Sequence, residues 1–195
     1  MSAKRTATVG LAIMLGGAAL ALASQPGGAA AANTGVFRGY LDTQDRRGPV
    51  EFALHIAGYS SDEDLKSLET MLREKGQEAM FAAVGDMKPN GWLQLDHGVG
   101  YPVTVLGEQE TREGRRIVAI ADRPIRFREF WRGSRSRDYP FTLIVLNVND
   151  LGLGQGTLIP AARAELDRQG NIKFDDYRRI PYRILRVRED RAAGS

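Results

Sequence analysis

One uncharged stretch, residues 141–148, constrains the fold more than any other part of the chain. Its side chains are mostly β-branched, aromatic or leucine, and both of its alternating faces are apolar. One face carries Phe141, Leu143 and Val145, and the other carries Ile144, Leu146 and Val148. An exposed strand of this kind would promote aggregation, so the fold must cover both faces and pair both edges. We therefore predict that this segment is a central strand of the hydrophobic core, buried on both faces.

From Asn90 onward, turn residues recur about every ten residues, which is typical of an antiparallel sheet. The segments between these turns, together with two segments before Asn90, predict nine further strands. These are 36–41, 50–56, 91–95, 101–108, 115–121, 125–131, 157–166, 171–174 and 182–187. Tight turns are predicted at 111–114 and 167–170, and a polar hairpin loop at 42–49. Strands joined in this way are antiparallel neighbours.

A helical segment interrupts the strands. Ser60 or Ser61 can cap a helix, the acidic residues 62–64 complement its dipole, and apolar residues recur at helical spacing until Gly76. A second short helix is predicted over 77–84. The elements together predict a mainly β (α+β) fold. We expect a curled antiparallel sheet, as a barrel or a two-layer sandwich, with one or two short helices packed on it.

The first residues have the features of a secretory signal peptide. Lys4 and Arg5 supply a positive start, residues 7–22 an apolar run, and residues 21–23 a small-residue cleavage signal. The run is rich in Gly and Ala and shorter than the ~20 strongly apolar residues of a spanning helix, which favours cleavage over a retained anchor. We predict a signal peptide over 1–23, a flexible lead-in over 24–34, a single globular β-rich domain over 35–190 and a disordered tail over 191–195.

Composition narrows the classes of protein to which the chain can belong. Cleavage would leave 25 of the 27 basic residues against 24 acidic ones, so the mature chain is nearly neutral and lacks the charge of a nucleic-acid-binding protein. The chain has no cysteine, which excludes disulfides, thiolate metal sites and a cysteine nucleophile. We predict a bacterial protein that is exported, periplasmic or secreted, with no transmembrane segment after signal cleavage.

An arginine-rich stripe within residues 123–137 is the strongest candidate for a contact surface. If 125–131 is a strand, arginines and one aromatic ring share a face, and more arginines follow in the next loop. The predicted binding residues are Arg126, Arg128, Phe130, Arg132, Arg135 and Arg137. Such a stripe can bind a polyanionic glycan, an envelope lipid headgroup or an acidic protein face. The alternative is a solvated face whose arginines pair with carboxylates across the sheet.

Patterns typical of catalysis are weak in this sequence. Segment 152–156 is rich in glycine but has Thr157 at the third glycine position of a dinucleotide fingerprint, so we predict a tight connection or bulge between buried strands. Asp96 and His97 are adjacent in a predicted turn, 95–98. Adjacency does not make them a catalytic dyad, since neighbouring residues on an extended chain point to opposite sides. His55 and His97 are isolated from each other in sequence, and no serine lies in a nucleophile elbow. We predict no catalytic residue, no metal and no cofactor.

The sequence therefore favours an exported β-rich binding module. Two alternatives from other classes stay open. A small hydrolase that uses carboxylates and a histidine requires that Asp96 or His97 lines a concave pocket. A barrel that carries an apolar ligand requires an internal cavity instead of a filled core.

Overall fold

The computed structural model describes residues 11–12, 35–43, 48–124, 138–167, 172–176 and 181–191. Within these residues the chain forms eleven strands and two helices. The strands are β1 (Leu11–Ala12), β2 (Gly35–Asp42), β3 (Val50–Ile56), β4 (Gly91–Leu95), β5 (Tyr101–Val103), β6 (Val105–Thr111), β7 (Gly114–Ala121), β8 (Phe141–Val148), β9 (Leu153–Leu166), β10 (Ile172–Asp176) and β11 (Tyr182–Arg191). The helices are α1 (Asp62–Lys75) and α2 (Gln77–Asp86).

The strands form one antiparallel sheet with the order β5-β4-β3-β2-β11-β9-β8-β7-β6. The sheet curls until its ends meet, because Thr104 alone separates β5 from β6 along the chain. The Thr104 amide donates a hydrogen bond to the Ile120 carbonyl of β7 at 3.1 Å. The continuous segment 101–111 therefore pairs with β4 through β5 and with β7 through β6. The predicted mainly β fold is confirmed, and its architecture is a nearly closed barrel.

Both faces of β8 are buried, as the apolar alternation predicted. One face points into the barrel, where it packs with side chains of β2, β3 and β4, and it carries Ile144, Leu146 and Val148. The other face points outward to the cluster that α1 and α2 cover, and it carries Phe141, Leu143 and Val145. Each such side chain stabilises the fold by about 1.5–3 kcal/mol through removal from water. The central strand thus joins two apolar cores.

The helices begin and end near the predicted residues. The Ser61 side chain accepts a hydrogen bond from the Asp64 amide at 3.1 Å, and the Asp64 carboxylate accepts one from the Ser61 amide at 3.3 Å. This reciprocal pair is a capping box. Gly76, with φ of 81°, ends α1 and lets α2 follow directly. The buried helix residues pack on the outer barrel wall; they are Leu68, Leu72, Met80 and Val84.

The largest differences from the predicted strands are at β9, at β5 and β6, and at β11. β9 begins at Leu153, so the turn itself is 149–152 and the later glycines are strand residues. The Asn149 side chain stabilises this turn by accepting hydrogen bonds from the Leu151 and Leu153 amides, both at 3.0 Å. The predicted strand over 101–108 is divided at Thr104 into β5 and β6. β11 continues to Arg191 through a bulge that the sequence did not indicate.

The ends of the described chain lie on neighbouring or peripheral strands. In the β2/β11 pair, Gly35 lies opposite Arg191. β10 stands outside the barrel, where it pairs with the second half of β9. Its other edge pairs with β1, with Leu11 opposite Phe174, and β1 falls within the predicted signal peptide, whose cleavage stays a prediction. No helix of the described ranges is long and apolar enough to span a membrane.

Candidate functional site

A shallow groove crosses the outer wall of the barrel over β2, β3, β4, β9 and β11, with a volume of about 470 Å³. We call it the outer groove. Its centre is a row of cross-strand partners, one from each strand, because directly opposed residues share a face of the sheet. The row runs through Gln94, Ala53, Arg38, Arg188 and Leu153. Because the Ala53 side chain is small, the surface is depressed at this position relative to the longer side chains on either side.

Three arginines line the outer groove, and they differ in their partners. Arg38 Nε and Arg188 Nε donate to the same carboxylate, Asp190, at 2.9 and 3.0 Å. The two arginine side chains are 53 and 65% exposed, so these ion pairs stabilise the fold by at most about 1 kcal/mol and leave the guanidinium groups accessible. Arg186 makes no ion pair with another described residue. Asp190 therefore pairs with two of the three groove arginines, and the carboxylates of Glu51 and Asp96 also line the groove.

Left-handed backbone conformations gather around the outer groove. The described residues other than glycine with positive φ are Asp96, His97 and Arg186, at 48°, 55° and 52°. All three line the groove. A left-handed conformation costs about 1–2 kcal/mol for a residue with a β-carbon. Such residues persist where the surrounding structure holds them, and they are enriched at binding sites.

The two left-handed segments have different local origins. Asp96 and His97 are the central residues of a tight turn closed by a 2.8 Å hydrogen bond from the Gly98 amide to the Leu95 carbonyl. Two-residue turns with positive φ at both centres match the twist of the flanking strands, and Asn-Gly is their common sequence. Arg186 instead lies in the β11 bulge, where the pairing with β2 changes register.

His97 is held next to a carboxylate of the neighbouring strand. Its Nε2 lies 2.8 Å from Glu51 Oε2, and both side chains are largely exposed. Asp96 and His97 both line the groove, and they lie in the predicted turn, with a left-handed backbone. This is the arrangement that the hydrolase alternative requires.

Two exposed aromatic rings lie in or beside the outer groove. Tyr40, which lines it, is 41% exposed, and Trp92 is 45% exposed. Trp92 stacks on His55, with ring centroids 4.5 Å apart and an angle of 11° between the ring planes. The stacking fixes the orientation of the indole while nearly half of it stays in contact with solvent. Rings presented in this way can stack on the apolar face of a ligand.

Burial disfavours protonation of His55. Desolvation and the charge of Arg38 lower the pKa of the His55 imidazole, against a hydrogen bond with Gln94 that raises it. Its Nε2 is buried without a hydrogen-bond partner among the described residues. A proton on this nitrogen would therefore be poorly compensated.

Acidification is expected to destabilise the protein through His55. The imidazole of the unfolded chain titrates near 6.5, and the folded protein takes up this proton only at lower pH. Below that value the unfolded state binds more protons, so the free energy of unfolding falls as the pH falls. Between about pH 7.5 and about pH 5.5, Tm should decrease more for the wild type than for His55→Gln. Equal slopes for the two proteins would contradict the assignment.

A polar network closes one part of the barrel interior, on β6, β7 and β11. Arg115 lies 2.6 Å from Glu189 and 3.3 Å from Glu108, and the Tyr59 hydroxyl donates to Glu108 at 2.5 Å. Burial alone would lower the pKa of Arg115, but its hydrogen bonds and the two carboxylates raise it. Burial, and to a smaller extent the hydrogen bond to Glu108, raises the pKa of the Tyr59 phenol above its usual range. We assign this network to the stability of the barrel.

The rest of the barrel interior is filled with apolar side chains. Phe37, Phe52 and Leu54 are at most 2% exposed and pack in one cluster with the inward face of β8. An enclosed apolar ligand needs an empty interior. The filled core therefore gives that alternative no support.

The predicted stripe lies outside the described residues, and its binding role stays a prediction. This holds for each of its members, Arg126, Arg128, Phe130, Arg132, Arg135 and Arg137. Ala121 pairs with Thr142 at one end of β7 and β8. The outer groove is adjacent to the other end of these strands, beyond Val148, which pairs with the groove residue Gly154.

Comparison with known proteins gives no further guide to this site. No family model, curated protein or solved structure matches the chain. Within the described ranges, no three His, Asp or Glu side chains are grouped so that they could hold a metal ion. The case for the outer groove as the candidate functional site rests on its own geometry.

Proposed function

We propose that the protein is an exported binding module that takes an anionic glycan in the outer groove. The observation that carries the proposal is Arg186. A left-handed bulge holds this arginine in the groove, and no described carboxylate pairs with it. A strained cation without a partner suits a ligand that supplies the missing anion.

The other groove residues are suited to an acidic sugar. Arginine guanidinium groups bind carboxylate or sulfate groups through two parallel hydrogen bonds, and Arg38 and Arg188 are accessible beside Arg186. Tyr40 and Trp92 present rings on which the C–H face of a sugar can stack. Lipid headgroups and acidic proteins remain chemically compatible with the arginines alone. The aromatic rings and the concave shape favour the glycan.

The test measures binding of heparin and polygalacturonate to the mature chain by isothermal titration calorimetry. Arg186→Ser should weaken binding by about tenfold or more, since a hydrogen bond to a charged group contributes roughly 1.5–3 kcal/mol. Arg73→Ser is the matched control, because it removes the same charge from an exposed position of α1 that is ion-paired with Glu69. This control should bind like the wild type.

A triple variant distinguishes the outer groove from the predicted stripe. If Arg126, Arg128 and Arg132 are replaced with Ser, binding should persist when the groove is the site. Loss of binding in the triple variant with full binding in Arg186→Ser would move the site to the stripe. Absence of binding to either polymer in the wild type would overturn the proposed function.

A small hydrolase is the second candidate, favoured by the pair of Glu51 and His97 in the groove. A carboxylate and an imidazole 2.8 Å apart can share the proton transfers of general acid–base catalysis. Under this alternative, incubation with the bound glycan would release new reducing ends, and Glu51→Gln would abolish the release. Under the binding function, the polymer should stay intact with both proteins.

A further inference from the structure

A second groove adjoins the outer groove on the barrel wall. It follows the ends of β7, β8 and β9 as far as β11, and we call it the adjacent groove. Its polar lining includes Arg112, Arg116, Asn147 and Gln155. Leu153, Gly154 and Arg186 line both grooves. The two concave surfaces are therefore continuous, and they meet at Arg186.

We infer that the two grooves form one trough that binds an extended, linear acidic polysaccharide. This inference rests on the proposed function and specifies that the anionic glycan is an extended, linear chain. The trough follows β4, β3, β2, β11, β9, β8 and β7, which are consecutive neighbours in the sheet. Strands lie about 4.8 Å apart, so these six spacings give a contour of roughly 29 Å. A surface of that length is suited to a chain of several sugar units.

Positive groups recur along the trough. Arg38 and Arg188 lie in the outer groove, Arg186 at the junction, and Arg116 and Arg112 in the adjacent groove. Neither Arg112 nor Arg186 has an ion pair with a described residue, and Arg116 Nε donates to the neutral Asn147 side chain at 3.0 Å. A polymer with one acid group in each repeat can meet several of these arginines in succession.

The shape and the remaining polar groups favour a polysaccharide over a membrane. The trough curves with the barrel, and a flexible chain can follow this curvature, whereas a planar bilayer can touch only one side of it. Asn147 and Gln155 place amide groups between Arg116 and the arginines of β11, and Gln94 places one at the far end beyond Arg38, where they can bond to hydroxyl groups. Each contact is exposed and individually weak, so the affinity should come from several contacts made at once.

The trough predicts that affinity depends on ligand length. Oligogalacturonates from the disaccharide to the polymer would be titrated into the mature chain by isothermal titration calorimetry. We expect Kd to fall by about tenfold or more once the oligomer is long enough to extend from the outer groove past Arg186. Arg116→Ser should remove this gain. Arg73→Ser on α1 should reproduce the wild-type series.

The outcomes separate the two proposals. Short oligomers that bind as tightly as long ones, or a long-chain affinity that Arg116→Ser does not change, would overturn the trough while the outer groove stands. Absence of binding at every length would overturn the proposed function as well. Binding to phosphatidylglycerol vesicles in place of the oligomers would identify the surface as a membrane contact and overturn both.

Discussion

Val145→Asp is expected to prevent the protein from folding. Val145 is 3% exposed and lies in the core between β8 and the two helices. An aspartate there would bury a charge, and the penalty of several kcal/mol is comparable with the ~5–15 kcal/mol that stabilises a native domain. Circular dichroism of the refolded variant should show no cooperative thermal transition.

Asn147→Asp is the matched control for this experiment. Asn147 lies two residues further along β8, on the same face, but it is exposed and its side-chain oxygen lies 3.0 Å from Arg116 Nε. The free energy of unfolding should change by about 0.5 kcal/mol or less. A soluble Val145→Asp variant with the wild-type Tm would show that the outward face of β8 is not buried.

Gly154→Ala is expected to cause the second largest loss of stability. A β-carbon at this position would contact the Asn147 carbonyl oxygen and lie 2.9 Å from the Val148 Cα. Both are backbone atoms of the central strand, so they cannot move aside as a side chain can. The β8/β9 pairing must distort, and we expect a loss of about 3 kcal/mol, measured from the midpoint of urea unfolding.

Gly107→Ala tests whether this loss comes from close packing. Gly107 is also a strand residue, in β6, but an added β-carbon would meet no atom within 4 Å. Alanine should leave stability unchanged or raise it by up to about 1 kcal/mol, since it restricts the unfolded chain. Equal losses at both positions would show that glycine is needed at 154 for another reason.

Elements with a local signal could be predicted well from the sequence. β8 follows from an uncharged run with two apolar faces, and α1 follows from a cap at Ser61 and a glycine at its end. The strand over 157–166 is confirmed although several of its residues favour helices, because its alternation and the turn after it outweigh propensity. In each case the physical cause lies within about ten residues of its effect.

The closure of the barrel had no such local signal. It depends on Thr104, where one strand changes its partner from β4 to β7, and the sequence around it reads as a single uninterrupted strand. Whether a curled sheet closes depends on the stagger of all its strands. The sequence therefore does not distinguish a barrel from a sandwich.

The candidate site could not be predicted for a related reason. Its arginines lie at positions as distant as 38 and 188, and the strand register brings them together. Arg186 also has a left-handed backbone conformation, which arginine rarely adopts, so the sequence does not predict the bulge. The stripe within 123–137 could be predicted because its arginines lie close together in the sequence, whereas the groove arises only after the strands pair. The turn at Asp96 and His97 is a local signal near the groove, but it does not identify Arg38, Arg186 or Arg188.

The pairing of Gly35 with Arg191 has a consequence for how the barrel can be attached to other structures. Cross-strand partners lie about 5 Å apart, so the first and last strands of the barrel end at the same corner. Anything fused to either end of the barrel would leave from that corner and would leave the opposite wall unobstructed. A linker of a few residues could also join the two ends, so the barrel is a good candidate for circular permutation.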